Sequence, residues 1–146
     1  MSHADAFLGG DHAKAKSHIR NLIRIANADG NMDEKEYKLL IRIARKFELS
    51  EEDVKDVMEH IDSYTFSPPA NKEDRNLQLY NLGRMVMADG VQDDAEISKI
   101  NRFAIGLGYS SGYASELVEK VISMINEGFA SDDAIDAIQQ FVDSKS

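Results

Sequence analysis

The stretch Ala28-Asp29-Gly30-Asn31-Met32-Asp33-Glu34-Lys35-Glu36 returns sixty residues later as Ala88-Asp89-Gly90-Val91-Gln92-Asp93-Asp94-Ala95-Glu96. Ala, Asp, Gly, Asp and Glu hold the same places in both copies, without a gap. The register persists outward. Under the same shift Arg24 falls on Arg84, Arg42 on Arg102, Ala44 on Ala104, Ser50 on Ser110 and Glu59 on Glu119, while Leu40 and Ile100, Ile43 and Phe103, and Val57 and Leu117 match in kind. Agreement over about 40 residues marks an internal repeat, and a repeat unit that cannot bury its apolar face alone packs against its copy.

Helical periodicity surrounds both copies. Ile19, Leu22, Ile23 and Ala26 give one apolar stripe over Asp11–Ala28, and Tyr37, Leu40, Ile41, Ala44 and Phe47 give another over Asp33–Phe47. Ser50 followed by Glu51, Glu52 and Asp53 predicts the capped start of a third helix, reaching about Asp62 with Val54, Val57, Met58 and Ile61 inward. Tyr64–Ala70, with Pro68-Pro69, interrupts the helices as a connector. The order then recurs: helices over Lys72–Ala88, Asp93–Leu107, ended by Gly108 in a left-handed cap, and from near Ser110 to Glu127. Gly83 inside the fourth helix predicts a close helix crossing, because glycine there costs about 1 kcal/mol relative to alanine. Ser131-Asp132-Asp133 caps a seventh helix with Ala134, Ile135, Ile138, Phe141 and Val142 on its apolar face.

The expectation is therefore an all-α fold of about seven helices: two pseudo-two-fold-related three-helix halves, residues 11–63 and 71–127, plus a C-terminal helix over 131–143 that covers what stays open. Residues 1–10 read as a flexible arm closed by Gly9-Gly10, and residues 11–146 as one helical domain.

Composition narrows the function. The 26 acidic against 17 basic side chains give a net charge of −9, a field that repels phosphate backbones and anionic membranes and favours cations and basic partners. Nucleic acid is thereby excluded as the expected partner. With no cysteine there is no disulfide or thiolate chemistry, and no run of about 18 apolar residues is present to enter a bilayer. A cytoplasmic protein is expected.

An Asp-Gly break followed by an acid and then by a Glu at the start of the next helix, duplicated in an all-helical chain of this size, resembles the TerB tellurite-resistance family over about Ala13–Glu127. The resemblance implies an all-helical, pseudo-symmetric fold, which also occurs as the N-terminal domain of some membrane-attached DnaJ-type co-chaperones. It implies a role in metal-oxyanion and other stress responses, and acidic residues proposed to bind metal. By position these are Asp29, Asp33 and Glu36 in the first copy and Asp89, Asp93 and Glu96 in the second. This chain shows no membrane span and no J domain, so the co-chaperone context is not expected.

Two chemistries compete for these acids. Brought together by the pseudo-dyad, Asp29, Glu36, Asp89 and Glu96 form an all-oxygen set that selects a hard divalent cation, calcium, magnesium or manganese. Without an ion such carboxylates repel one another. Alternatively, Asp33 with Glu36 and Asp93 with Glu96 are capping boxes, Gly30 and Gly90 form tight turns, and Asp29 and Asp89 make Asx-turns. Asp33 and Asp93 suit the caps best. A regular EF-hand is rejected, because its first and third positions would be Ile25 and Asn27, and Met85 and Met87 in the second copy. Gly108-Tyr109-Ser110-Ser111-Gly112 matches the nucleophile-elbow pattern by chance, since a helix and not a strand precedes it. His3, His12, His18 and His60 are scattered and expected at the surface, with no Glu-x-x-His pair for a di-iron site. Met58, Met85, Met87 and Met124 are expected as core filler. The leading reading is a non-enzymatic, stress-associated domain that holds a hard cation and meets a protein partner. The alternatives are a metal-free interaction domain and a metal-dependent hydrolase.

Overall fold

The computed structural model describes residues 15–24, 32, 34–63, 69, 71–87 and 94–145. Most of these residues are helical, with no strand among the described residues, as the sequence predicts. Helix α1 comprises the described residues 15–24. It is followed by α2 (Glu34–Lys46), α3 (Glu51–Glu59) with a single 3₁₀ turn at Ile61–Ser63, α4 (Lys72–Val86), α5 (Asp94–Leu107), α6 (Ala114–Asn126) and α7 (Ser131–Ser144). The expected arm at 1–10 lies outside the described residues. The chain divides into two compact units, Met1–Ser67 and Pro68–Ser146, and the border falls within the predicted connector.

In the first unit Ile19, Leu22 and Ile23 of α1, Leu40, Ile43 and Ala44 of α2, and Val54 and Val57 of α3 are buried. The second unit buries the residues sixty places on: Leu79, Leu82, Ile100, Phe103, Ala104, Ala114 and Leu117. Each Leu or Ile removed from water contributes about 1.5–3 kcal/mol, so these stripes carry the stability of each unit. Polar residues follow the same register, with His18 and Gln78 buried at one pair of matching positions and Asn21 and Asn81 at another.

Among the described residues the second unit has one helix more than the first, and its core is adapted to it. Asn76 Nδ2 of α4 donates to Ile135 O and Gln139 Oε1 of α7, while Tyr109 Oη donates to Asn76 Oδ1. Tyr109 stands where Leu49 stands in the first unit, both nearly fully buried. A phenol there needs a partner, and Asn76 is one, whereas Leu49 has no hydroxyl with which to make such a bond. Burial holds the Tyr109 hydroxyl well above its usual pKa, partly opposed by Arg75, whose guanidinium carbon sits 4.4 Å from the ring centroid. At Gly83 a Cβ would lie 2.8 Å from Ile125 Cδ1 and 3.1 Å from Val121 Cγ1, so α4 and α6 do cross closely there.

Three helix ends share one cap. After α2, Leu49 N donates to Ala44 O and Glu48 N to Arg45 O; after α5, Tyr109 N donates to Ala104 O and Gly108 N to Ile105 O; after α6, Phe129 N donates to Met124 O and Gly128 N to Ile125 O. This is the Schellman pairing, which requires a left-handed residue just past the helix. Gly108 (φ +109°) and Gly128 (φ +77°) adopt it without a Cβ penalty, whereas Glu48 is forced to φ +62°.

Two helix starts differ from expectation. Ser50 Oγ accepts from Asp53 N at 3.1 Å and Asp53 Oδ2 accepts from Ser50 N at 2.9 Å, a complete capping box. The matching Ser110 does not start α6, because Tyr113 replaces the reciprocating Asp53, and Ser111 and Gly112 replace Glu51 and Glu52. Ser110 Oγ instead accepts from Gly112 N in a tight turn, and the helix begins at Ala114. Likewise Ser131 is the first residue of α7 and not its cap, which is Ala130.

Because left-handed backbone costs a non-glycine residue about 1–2 kcal/mol, Glu48→Gly should raise unfolding stability by about 1 kcal/mol and Gly108→Ala should lower it by a similar amount. Urea titration of both variants checks this. Equal midpoints would show that the caps are not under this strain.

Candidate functional site

In sequence each acidic repeat leads into a helix whose apolar side is buried: the first follows the described part of α1 and runs into the first turn of α2, the second follows α4 and runs into the first turn of α5. Asp29, Asp33, Asp89 and Asp93 lie outside the described residues, as do the Gly30 and Gly90 turns. Glu96 is in the first turn of α5, with its side chain likewise outside the description. Glu36, in the first turn of α2, is half-buried and engaged in a polar interaction. Its neighbour Glu34 is exposed and pairs with Lys38 Nζ at 3.2 Å. Both carboxylates sit at the positive end of the α2 dipole. Arg24, at the last described position of α1, donates from Nη2 to Ile61 O at 3.2 Å. The matching Arg84 lies over the Tyr80 ring, 5.8 Å from its centroid.

Capping by short polar side chains is established elsewhere in the chain. Beside the Ser50 box, Asn71 Oδ1 accepts from Asp74 N at 2.8 Å at the start of α4. The α3 start is tied back to α2 by Tyr37 Oη, which donates to Glu51 Oε2 at 2.8 Å. That contact and the loss of solvent around the ring hold the Tyr37 hydroxyl above its usual pKa.

A second set of donors, absent from the sequence reading, lies at the end of α3. Asp56, Glu59 and His60 each offer a ligand atom, all within 4.8 Å of one another, and all three are exposed. His60 Nδ1 is 3.0 Å from Asp56 O and 3.5 Å from Asp56 Oδ1, so the ring already closes the C-terminal turn of its own helix. The signal was the i, i+3, i+4 spacing of Asp56, Glu59 and His60, which shares one helix face. An imidazole with two carboxylates suits zinc better than calcium or magnesium.

His18 corrects the expectation of surface histidines. It is 4% exposed, with its ring centroid 4.9 Å from that of Phe47, and burial drives its pKa down to about 3. The periodicity contained this: Ala15, His18, Ile19, Leu22 and Ile23 are the i, i+3, i+4, i+7, i+8 positions of one buried face.

Residues 5–59 match the family model described as Tellurite resistance protein TerB. The matched stretch begins before the described residues and ends with α3, so it contains the first acidic repeat. The second copy is connected to it through the sixty-residue register of the chain itself. Neither the curated proteins nor the solved structures returned a match.

Between pH 6.5 and about 3 the unfolded chain takes up a proton at His18 that the folded chain excludes, so this group's contribution to stability is complete above pH 6.5 and falls on acidification. The loss approaches about 1.4 kcal/mol per pH unit. His18→Gln, the residue found at the matching position 78, should therefore lose about 1 kcal/mol less than the parent protein between pH 7 and 5.5 in urea titrations. Parallel losses would place a proton on His18 in the folded state.

Proposed function

We propose, from the TerB-like assignment of residues 5–59, that this chain is a non-enzymatic domain of the tellurite-resistance type that binds a hard divalent cation through its repeated acids and acts with a protein partner. The observation that carries the reading is the placement of the duplicated motif. Asp29, Asp33 and Glu36 recur sixty residues on as Asp89, Asp93 and Glu96, each set ending in the first turn of a helix, α2 or α5, and the matched stretch contains the first set. Carboxylate side chains alone give the all-oxygen donor set that calcium, magnesium and manganese prefer.

Capping is the competing reading, favoured by the box at Ser50 and Asp53 and by the Asn71 cap. The two readings predict different responses to metal. After chelation, thermal melts with added calcium, magnesium, manganese or zinc should rise for at least one hard ion. An ion at a hundred times its dissociation constant stabilises by about 2.7 kcal/mol, which shifts the midpoint by roughly 5–15 °C. The shift should disappear in Asp29→Asn with Asp89→Asn and persist in His60→Ala. A flat response to all hard ions, with Asp33→Ala costing about 1 kcal/mol in every condition, would leave the acids as caps alone.

A further inference from the structure

The second unit carries an open groove of about 450 Å³ between α6 and α7, floored by Met124, Phe129, Ala137 and Phe141. Phe129 is 37% exposed, although its position is one that the chain elsewhere buries. It follows the left-handed residue of the third Schellman cap. The corresponding residues of the other two caps, Leu49 and Tyr109, are 3% and 2% exposed. Its backbone is held by Phe129 N donating to Met124 O, and by Tyr80 Oη donating to Phe129 O at 2.6 Å. The exposed ring is thus presented on a fixed backbone, which lowers the entropic cost of covering it.

The charges along the groove have a direction. Lys120 lies beside Phe141, its ammonium 6.0 Å from the ring centroid, and forms no ion pair among the described residues. Lys145 flanks the same ring at 5.5 Å and pairs with Glu116 at 3.1 Å. Glu127 lines the groove two helical turns from Lys120, about 10 Å along α6. One end is therefore cationic and the other anionic, in a chain whose net charge is −9.

We propose that this groove docks one amphipathic helix of a partner protein, its apolar stripe against Phe129, Met124 and Phe141, with acidic residues at the Lys120 end and basic residues at the Glu127 end. A helix with acids in its first turns and bases in its last has this pattern, and helix-in-groove docking reads its i, i+3, i+4, i+7 positions.

The test uses the full chain and two synthetic helical peptides with the same Leu/Phe stripe. One carries Glu in its N-terminal half and Lys in its C-terminal half, and the other has the charges exchanged. Fluorescence anisotropy should show at least fivefold tighter binding of one peptide, with amide shifts confined to α6, α7 and Gly128–Ala130. Lys120→Glu should weaken that peptide at least tenfold, and Phe129→Ala at least fivefold, while both variants keep the parent's far-ultraviolet circular dichroism. Absence of binding, equal binding of the two peptides, binding indifferent to Lys120→Glu, or shifts elsewhere on the chain would overturn the proposal. So would self-association through these residues in sedimentation, which would make a second copy the occupant.

Discussion

Burial of the apolar residues that recur at a sixty-residue spacing is the constraint on which each unit depends. In Met1–Ser67 the stripe is Ile19, Leu22, Leu40, Ile43 and Val57; in Pro68–Ser146 it is Leu79, Leu82, Ile100, Phe103 and Leu117. Leading into the second helix of each unit, the sequence repeats Ala-Asp-Gly-x-x-Asp-x-x-Glu. The same glycine and aspartate that suit a short interhelical turn also place carboxylates close in sequence, so caps and cation ligands draw on one set of residues.

The duplicated stripe also shows where the halves have diverged. At the end of α2 the left-handed position is held by Glu48, and at the end of α5 by Gly108, although the hydrogen bonds are the same. At the start of the third helix Ser50 keeps its reciprocal partner Asp53, whereas Ser110 faces Tyr113 and forms a turn instead. The second unit replaces Leu49 by Tyr109 and binds that phenol to Asn76, which in turn holds α7. Each change alters one local interaction while the buried stripe stays in register.

Much of this was legible in the sequence because it is local. The stripes of α1, α2, α3 and α7, the Ser50 cap, the left-handed Gly108 and the close approach at Gly83 all follow from spacing, propensity and backbone geometry within a few residues. The start of α6 departs from the match of Ser110 with Ser50 because position 113 is Tyr and cannot supply the acid that completes the box. His18 was placed at the surface as one of four scattered histidines, although the helical period of Ala15, Ile19 and Leu22 assigns it inward. The Tyr109, Asn76 and Gln139 network joins residues far apart in sequence, and no local pattern announces it. For the candidate site, the sequence named six acids, of which Glu36 is the one whose side chain falls among the described residues. The Asp56, Glu59 and His60 set is present in the sequence only as an i, i+3, i+4 spacing, which exposed helix faces commonly carry.

The central claim is that the duplicated acids hold a cation, and it is tested most directly by where a paramagnetic ion settles. Substoichiometric manganese added to the isotopically labelled chain should broaden amide resonances around residues 29–36 and 89–96 ahead of all others, and excess magnesium should restore them. Broadening confined to Asp56, Glu59 and His60, or spread evenly over the acidic surface, would contradict the account.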